Sequence, residues 1–506
     1  MKKYSPLAFL FSLLFAVSAY AGEGRYTLPL TGGGWSLWLD KEASWQNDRL
    51  YLPHEITDLS LLPVNTPTGG WQALNDNLDA VSVEVPGTVE EYLTTSDNPR
   101  PEDFKGVSWW YRKITIPADQ ANKRHLIYFE SVRMRAEVYL DGKLVAYDLI
   151  GETPFHVDIT KEAKPGTEQL LAVRVTNPGG NFHWQDFDIQ KWGEYNIPPA
   201  RSFSGIIGRV KLESVNPVFI SDIYMQNTPE PTKVNAIISF TNETPSSVKQ
   251  DVELTVSEKN RPDKVVFRQL LKHVSFPPGK REMMIPVSVS DAKLWDLDTP
   301  ELYTCNIQIK KGKNTLDRDK KNFGFRWFSA EGVGTDAVLR LNGRRVMLRS
   351  AISWGYFPVT GLIATPEMAE KQVLTAKKLG LNMLNFHRCI GSPVVLEKTD
   401  ELGLLYYEEP GSFHSANHDP FIRTIVNEKL KRMVHRDRSH PSLIIFNLIN
   451  EFGGPLSRDK ELVAKRMNDM REAHAVDPGR IMTFTSGWAG SEDREEDSKS
   501  HMLPFD

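Results

Sequence analysis

Cysteine is scarce in this chain, which has only two, Cys305 and Cys389, among 506 residues. The two fall in different predicted domains, so no structural disulfide is expected, and both are predicted to be buried as small apolar groups. The net charge is small as well, at −4, which gives no electrostatic reason to expect nucleic acid or an anionic membrane as a partner. Beyond the N-terminus no apolar run is long enough to cross a bilayer.

The first 21 residues have the pattern of a secretory signal peptide. Lys2 and Lys3 precede the apolar run Leu7–Val17, and Ala19-Tyr20-Ala21 supplies small residues at the cleavage-site spacing. A membrane anchor is the alternative, but the run is short for a span and no cysteine follows to accept a lipid. We therefore expect export to the periplasm or the cell exterior, with residues 1–21 removed.

Residues 22–216 and 217–328 are each predicted to form a β-sandwich, because short alternating runs and turn dipeptides replace helical periodicity there. In the first, Ala136–Val145 is a predicted hairpin around Asp141-Gly142, a pair that tolerates the positive φ values of a type I′ turn. The second has the length and strand spacing of an immunoglobulin-like sandwich. Its candidate strands are Val234–Thr241, Val248–Glu258, Glu282–Val289 and Leu302–Lys310.

From residue 329 to 506 strands alternate with helices, which predicts successive βα units of a parallel sheet. The helix starts are marked by caps and first-turn prolines, as in Thr365-Pro366, Ser392-Pro393 and Asp419-Pro420. Basic residues at the end of the third helix, Lys429–Arg438, are interpreted as a solvated face. Five strands are predicted, namely Val346–Ile352, Leu381–His387, Leu404–Tyr407, Leu443–Ile449 and Ile481–Thr485.

Polar side chains stand at the carboxyl end of every one of these strands. In a (β/α) barrel that edge holds the active site. At the fourth strand an amide and a carboxylate, Asn450 and Glu451, stand side by side, which suits binding of a sugar hydroxyl and protonation of a glycosidic oxygen. The other strand ends contribute Ser353, Trp354, Asn385, His387, Arg388, Glu408, Glu409, Asn447, Ser486 and Trp488.

The segment before this pair, Met433–Ile445, contains the run Asp-Arg-x-His-Pro-Ser and resembles the glycoside hydrolases of family 2, the group of β-galactosidases, β-glucuronidases and β-mannosidases. Trp109–Arg112, Gly151–Phe155 and Phe323–Arg326 extend the similarity through both sandwiches. The resemblance implies a jelly-roll-like sugar-binding-type sandwich, an immunoglobulin-like sandwich and a (β/α)8 TIM barrel, here incomplete with about five strands.

The resemblance implies a glycosidase of carbohydrate catabolism, with a retaining double displacement in which Glu451 is the acid/base, and the signal-peptide pattern implies that it is exported. The family nucleophile follows the seventh barrel strand and has no counterpart in this chain, so whether the chain hydrolyses alone stays open. The substrate is an oligosaccharide or glycoside, and no metal or cofactor is expected. Predicted substrate-binding residues are Asn450, Asn447, His387, Arg388, Asn385, Glu409, Trp354 and Trp488.

Several alternatives remain at this stage. Asn385–Gly391 matches neither the Arg-x-x-His-Tyr-Pro segment of galactosidases and glucuronidases nor the Trp-Gly-Gly-Gly of mannosidase-like members, so the sugar is undecided. Arg388 suits an anionic sugar such as a uronate or a salt bridge with Glu408 or Glu409. His387 suits a sugar hydroxyl, a proton transfer or a structural hydrogen bond. The aromatic rings of Trp354 and Trp488 suit stacking on sugar or packing under a loop.

A different class of protein, a glycan-binding protein without catalysis, is also compatible with the pattern.

Glu408 and Glu409 are expected to set pocket polarity, with either as a substitute nucleophile being the weaker alternative. In the first sandwich, His183, Trp184 and Trp192 suit glycan contact or loop packing. The first and fifth barrel strands are each expected to leave an unpaired edge, a hazard for a fragment in isolation. The oligomeric state is not predicted.

Overall fold

The computed structural model describes residues 20–21, 24–93, 104–179, 189–198, 203–333, 335–357, 360–411, 419–452, 458–486 and 502–504. The predicted site residue Trp488 lies outside these residues, as do His183 and Trp184. None of the described helices is long and apolar enough to cross a membrane.

The first sandwich consists of antiparallel sheets of five strands (order β1-β2-β13-β6-β9) and six strands (order β4-β3-β5-β10-β7-β8), with a small β11-β12 hairpin. Two short helices, α1 (Ala73–Asp76) and α2 (Val89–Leu93), lie in its connections. Its strands are β1 Tyr20–Ala21, β2 Tyr26–Pro29, β3 Gly32–Asp40, β4 Val81–Val85, β5 Gly106–Thr115, β6 Arg124–Phe129, β7 Arg135–Leu140, β8 Lys143–Asp148, β9 Phe155–Asp158, β10 Glu168–Asn177, β11 Gln190–Trp192, β12 Tyr195–Ile197 and β13 Val210–Val215.

The predicted hairpin is present in this sandwich as β7 and β8. Asp141 and Gly142 both have positive φ, 48° and 81°, as a type I′ turn requires. Trp192 is 1 % exposed, and its indole N–H donates to the backbone oxygen of Trp45. Trp192 is therefore packed inside the protein, which agrees with the loop-packing role and not with glycan contact.

The second sandwich packs a three-stranded sheet, order β14-β15-β18, against a four-stranded sheet, order β17-β16-β19-β20. Alternate residues of both sheets form one apolar core, which includes Cys305. Burial raises the pKa of the Cys305 thiol to about 12, and neither cysteine is in a disulfide. The strands are β14 Val218–Asn227, β15 Lys233–Asn242, β16 Val248–Glu258, β17 Arg261–Phe276, β18 Gly279–Ser288, β19 Tyr303–Lys311 and β20 Asn314–Phe323.

A small three-stranded sheet leads into the βα units, in which β24 to β28 are parallel neighbours in chain order. This confirms two sandwiches followed by barrel-type βα units. The elements are β21 Phe328–Glu331, β22 Val338–Leu341, β23 Arg344–Arg345, β24 Ser350–Ser353, α3 Pro366–Lys378, β25 Met383–Phe386, α4 Pro393–Leu402, β26 Leu405–Glu408, α5 Pro420–Asp437, β27 Leu443–Asn450, α6 Lys460–His474, β28 Ile481–Ser486 and β29 Met502–Leu503.

The helices begin where their sequence signals indicate. The Thr365 hydroxyl accepts the Met368 N–H before α3, and the Asp419 carboxylate accepts two N–H groups at the start of α5. Gly403, at φ 72°, ends α4 in the left-handed conformation that favours glycine. Strand β27 has strands paired on both of its edges and is buried on both faces, as its continuous apolar run predicts.

Two expectations about the barrel strands need correction. The first strand begins at Ser350 instead of Val346, because the residues after β23 leave the hairpin without joining the parallel sheet. The fifth strand does not have a free edge throughout, since β29 pairs with it antiparallel at Met482 and Thr483. Among the described strands, β24 has a neighbour on one side only.

Helix α5 does not present a solvated basic face, contrary to expectation. Lys429 pairs with Glu152 at 2.8 Å and Arg432 with Asp148 at 2.7 Å, so that both lysine and arginine side chains meet the first sandwich. The N-terminal part of α5 adds an apolar contact, in which Ile425 joins a cluster of the sandwich. The carboxylate partners lie 277 and 284 residues earlier in the chain, so the pattern of the helix alone could not reveal them.

The second sandwich is joined to the barrel by a buried arginine. Arg326 donates to the backbone oxygens of Pro441 and Leu443 at 3.0 and 2.9 Å, at the start of β27. Arg326 is 1 % exposed, so the guanidinium, and not water, is the hydrogen-bond donor to these two carbonyl oxygens. This interaction sets where β27 begins relative to the sandwich.

Replacing Arg326 with Met keeps much of the side-chain volume and removes both donors. We expect a loss of about 1–3 kcal/mol in stability, because two buried carbonyls become unsatisfied. Thermal melts of Arg326→Met and of Arg268→Met, whose side chain is 64 % exposed, provide the comparison. An equal or higher melting temperature for Arg326→Met would show that the cost of burying the guanidinium outweighs its hydrogen bonds.

Candidate active site

The carboxyl ends of β24 to β28 lie at one edge of the parallel sheet, and this edge brings the predicted site residues together. Arg388 and His387 follow β25, Glu408 and Glu409 lie at the end of β26, and Asn450 and Glu451 lie at the end of β27. The register pairs Asn450 with Ser486 on β28. Residues from four consecutive βα units therefore form a single cluster.

Glu409 is the centre of this cluster and is completely buried. One carboxylate oxygen accepts the backbone N–H of Arg388 at 2.8 Å and lies 3.2 Å from Nδ1 of His387. The other accepts from Nδ2 of Asn447 at 3.1 Å and from the hydroxyl of Ser486 at 2.7 Å. Four groups from three strand ends thus share one carboxylate.

Glu451 lies beside this buried centre with its own side chain 30 % exposed. A guanidinium nitrogen of Arg388 is 3.4 Å from its carboxylate, and Nε of Arg388 donates to Oδ1 of Asn450 at 2.8 Å. The amide of Asn450 in turn donates to the hydroxyl of Ser486 at 3.0 Å. Glu451 is consequently held from one side by Arg388 while part of its carboxylate side chain faces solvent.

Both members of this ion pair have left-handed backbone conformations. Arg388 has φ 54° and Glu451 has φ 52°, in a region that costs side-chain-bearing residues about 1–2 kcal/mol. The Glu451 N–H donates to the backbone oxygen of Ser486 at 2.7 Å, which holds this turn at the end of β27. These two strained residues are in contact with each other, one after β25 and one after β27. The surrounding structure therefore holds the site in backbone conformations that these residues disfavour.

Arg388 is paired with Glu451, which corrects the expectation of a salt bridge to Glu408 or Glu409. Glu409 instead accepts the backbone N–H of Arg388. The guanidinium also lies over the indole of Trp354, with 5.8 Å between its carbon and the ring centroid. The same indole meets the His387 ring edge to face at 4.6 Å, so Trp354 packs within the cluster.

Glu408 faces away from Glu451, toward helix α5 and the loop after β25. Its Oε1 accepts the Gly391 N–H at 2.6 Å and lies 3.4 Å from Nη2 of Arg436. Complete burial, together with the neighbouring Asp437 carboxylate, raises the pKa of Glu408 well above its usual range. Glu408 and Glu409 are both completely buried, which argues against either as the substitute nucleophile.

The three predicted asparagines are also buried. Asn447 donates to Glu409 and to the Ile449 oxygen, and it accepts from the hydroxyl of Thr483. Asn385 is 8 % exposed and Asn450 only 1 %. Asn447, Asn450 and Glu409 are therefore enclosed by protein, and contact with substrate stays a prediction for them.

Two residues of this arrangement were given no role in the site by sequence reasoning, which placed them in the solvated face Lys429–Arg438. Arg436 and Asp437 lie in the Met433–Ile445 segment that carries the family resemblance. That segment was the sequence signal that could have identified them as site residues. Arg436 donates to both carboxylate oxygens of Asp437 and to the backbone oxygen of Gly391. In the described parts of the chain no group of three or more His, Cys, Asp or Glu side chains has the arrangement of a metal site.

The first sandwich reaches the back of the loop after β25. A cleft between the two is lined by backbone and side chains of both domains, including Glu130, Ser131, Glu152, Ile390, Gly391 and Lys429. The loop that carries Arg388 is consequently enclosed between the barrel strands and the sandwich.

A parallel sheet with an exposed glutamate at its fourth strand, preceded by two sandwiches, is the architecture of sandwich-and-barrel glycosidases. Three family models match in chain order: glycosyl hydrolases family 2, sugar binding domain (residues 72–198), glycosyl hydrolases family 2 (218–326), and glycosyl hydrolases family 2, TIM barrel domain (336–502). The chain belongs to glycosyl hydrolase family 2.

Curated relatives of this chain include glycosidases of two specificities. A putative beta-glucuronidase of Formosa agariphila is 25 % identical over 475 residues, which are 89 % of this chain and 51 % of that protein. A beta-galactosidase of Thermoanaerobacter pseudethanolicus is 28 % identical over 385 residues, 75 % of this chain and 49 % of that protein. The chain thus spans about half the length of these relatives.

Solved structures agree on the fold. A beta-glucuronidase 2 of Bacteroides uniformis, covalently bound to cyclophellitol-6-carboxylate aziridine, matches 91 % of this chain and 52 % of its own at 20 % identity, with a TM-score of 0.69. A beta-glucuronidase of Ruminococcus gnavus in complex with D-glucuronic acid matches 92 % of this chain and 73 % of its own at 21 % identity, with a TM-score of 0.68.

The raised pKa of Glu408 makes stability depend on pH in a defined direction. Because its folded pKa lies above the unfolded value of about 4.5, the protonated carboxyl stabilises the fold fully below that pH, and this contribution is lost as pH rises through the folded pKa. We expect the melting temperature of the native protein, relative to Glu408→Gln, to fall as pH rises above about 4.5. A difference that stays constant with pH would show that folding leaves the pKa of Glu408 unchanged.

Proposed function

We propose that this chain provides the acid/base of an exported β-glycosidase, with Glu451 as the acid/base residue. The observation that carries the proposal is the contrast among the carboxylates at this edge. Glu451 is partly exposed and held by a guanidinium, whereas the two glutamates at the end of β26 are completely buried. Proton transfer to a glycosidic oxygen requires a carboxyl group that substrate can reach.

In the proposed reaction, Glu451 protonates the leaving oxygen and later removes a proton from the attacking water. Arg388 keeps its carboxylate oriented, since the guanidinium is itself fixed by Asn450. A retaining double displacement also needs a nucleophilic carboxylate about 5 Å from the acid. The burial of Glu408 and Glu409 argues against both, so neither is assigned as the nucleophile.

The substrate class is proposed as a β-linked glycoside or oligosaccharide. The curated relatives are named for glucuronide and galactoside hydrolysis, and both classes belong in a test panel with a β-mannoside. Arg388 favours an anionic sugar only if it can bind a carboxylate while paired with Glu451. A preference for the glucuronide that disappears in Arg388→Gln would support that role.

Replacing Glu451 with Gln removes the acid/base and little else. We expect hydrolysis of an aryl β-glycoside with a poor leaving group to fall by about 10²–10⁴-fold, the usual contribution of a general acid. For a leaving group that departs without a proton, formation of the glycosyl-enzyme should slow far less. Rate measurements on both substrates make the comparison, with Glu461→Gln on the exposed surface of α6 as the control.

The glycan-binding alternative gives a different result in the same experiment. Calorimetric binding of an oligosaccharide without any turnover would support a binding protein and contradict the glycosidase. Equal hydrolysis by Glu451→Gln and the native protein would contradict the acid/base assignment. Absence of both binding and hydrolysis over the whole panel would contradict any glycoside-directed function.

We also propose export, which rests on the signal-peptide pattern of residues 1–21. Cleavage after Ala21 would remove the two-residue strand β1 and leave Gly22 as the first residue of the mature protein. N-terminal sequencing of the protein from periplasm or culture medium should therefore begin at Gly22. Recovery of the intact N-terminus from the cytoplasm would contradict export.

A further inference from the structure

The loop after β25 must hold Arg388 in a left-handed conformation for its guanidinium to reach Asn450 and Glu451. One end of this loop is held by Glu409, which accepts the Arg388 N–H at 2.8 Å. At the same end the His387 N–H donates to the backbone oxygen of Ser353 at 2.9 Å, and the Cys389 thiol lies 3.7 Å from the backbone oxygen of Trp354. The structure shows what holds the other end.

The other end is Gly391, whose peptide groups are bound on both sides by buried side chains. Its N–H donates to Oε1 of Glu408 at 2.6 Å, and its backbone oxygen accepts from Nη2 of Arg436 at 2.7 Å. A Cβ at Gly391 would lie 2.2 and 2.3 Å from ring carbons of Phe386 and 2.9 Å from Oε1 of Glu408. Only glycine fits in this position.

Both side chains of this clamp are themselves fixed. Arg436 makes a two-point hydrogen-bonded pair with Asp437, with Nε–Oδ1 and Nη2–Oδ2 distances of 2.8 and 2.7 Å. The Arg436 side chain is 8 % exposed, and Glu408 is completely buried. The clamp is therefore built from groups with little freedom to move.

We propose that Glu408 and Arg436 are positioning residues for the acid/base. Their clamp on Gly391 fixes the loop after β25, and the loop holds Arg388 against Asn450 and Glu451. Neither residue touches substrate, because both are buried beneath the loop. The catalytic part of this inference rests on the proposed function, whereas the structural part does not.

The clamp on Gly391 and its link to Glu451 are tested with the same set of variants. Glu408→Gln retains an oxygen acceptor for the Gly391 N–H, and Glu408→Ala removes it. Glu370→Ala, an exposed carboxylate on α3, is the matched control. Gly391→Ala tests the clamp from the loop side, because its Cβ would force Gly391 away from Phe386.

Hydrogen exchange of residues 387–392, followed by mass spectrometry, measures the loop directly. We expect exchange at least tenfold faster in Glu408→Ala and Gly391→Ala, and close to native in Glu408→Gln and Glu370→Ala. Exchange in peptides of β27 should stay unchanged in all four, which excludes general unfolding. Native-like exchange of the loop in Glu408→Ala would overturn the clamp, whether or not the protein hydrolyses glycosides.

Kinetics then test the link to Glu451. With a glycoside that the native protein hydrolyses, we expect kcat to fall at least tenfold in Glu408→Ala with little change in KM, and to recover in Glu408→Gln. A mobile loop with unchanged kcat would overturn the positioning role. Loss of activity in Glu408→Gln equal to that in Glu408→Ala would make the carboxylic acid itself essential and would also overturn it. If the native protein shows no turnover, the proposed function is contradicted and the catalytic link with it. Hydrogen exchange still tests in that case whether the clamp holds the loop.

Discussion

A carboxylate taken out of water has to be surrounded by hydrogen-bond donors, and the site at the sheet edge depends on this requirement at Glu409. Its two oxygens bind the Arg388 N–H, the His387 ring, the Asn447 amide and the Ser486 hydroxyl. These groups come from three different strand ends. Loss of any one of them would leave part of a buried carboxylate unsatisfied, so this one side chain ties the ends of β25, β27 and β28 together at this edge.

Adjacent glutamates at the end of β26 divide two tasks between them. Glu409 binds the site cluster, and Glu408 faces helix α5, where it holds Gly391 together with Arg436. The loop between these two attachments carries Arg388 in a left-handed conformation. The strain is compatible with a stable fold because buried hydrogen bonds on both sides of the loop oppose its relaxation. The outcome is a guanidinium placed beside the one partly exposed glutamate of the described cluster.

The order of helices and strands could be predicted from local patterns in the sequence. Caps and first-turn prolines identified α3, α4 and α5, and the apolar run Leu443–Ile449 identified β27, since each signal depends on nearby residues alone. Sequence reasoning failed where a distant partner decides the environment. Lys429 and Arg432 look like a solvated helix face, and only the sandwich carboxylates Glu152 and Asp148 show otherwise. The short edge strand β29 likewise has no recognisable pattern of its own.

By itself the sequence determined the two sandwiches, the succession of βα units, the family and the position of Glu451 at a strand end. These follow from hydrophobic periodicity, turn chemistry and motif spacing. Only the tertiary structure decided which polar residues face solvent. Asn447, Asn450 and Glu409 have the composition of a binding surface but are buried, and Arg388 pairs with Glu451 instead of the glutamates of β26. The physical reason is that strand pairing sets the burial and partners of a polar side chain, and pairing joins residues far apart in the chain.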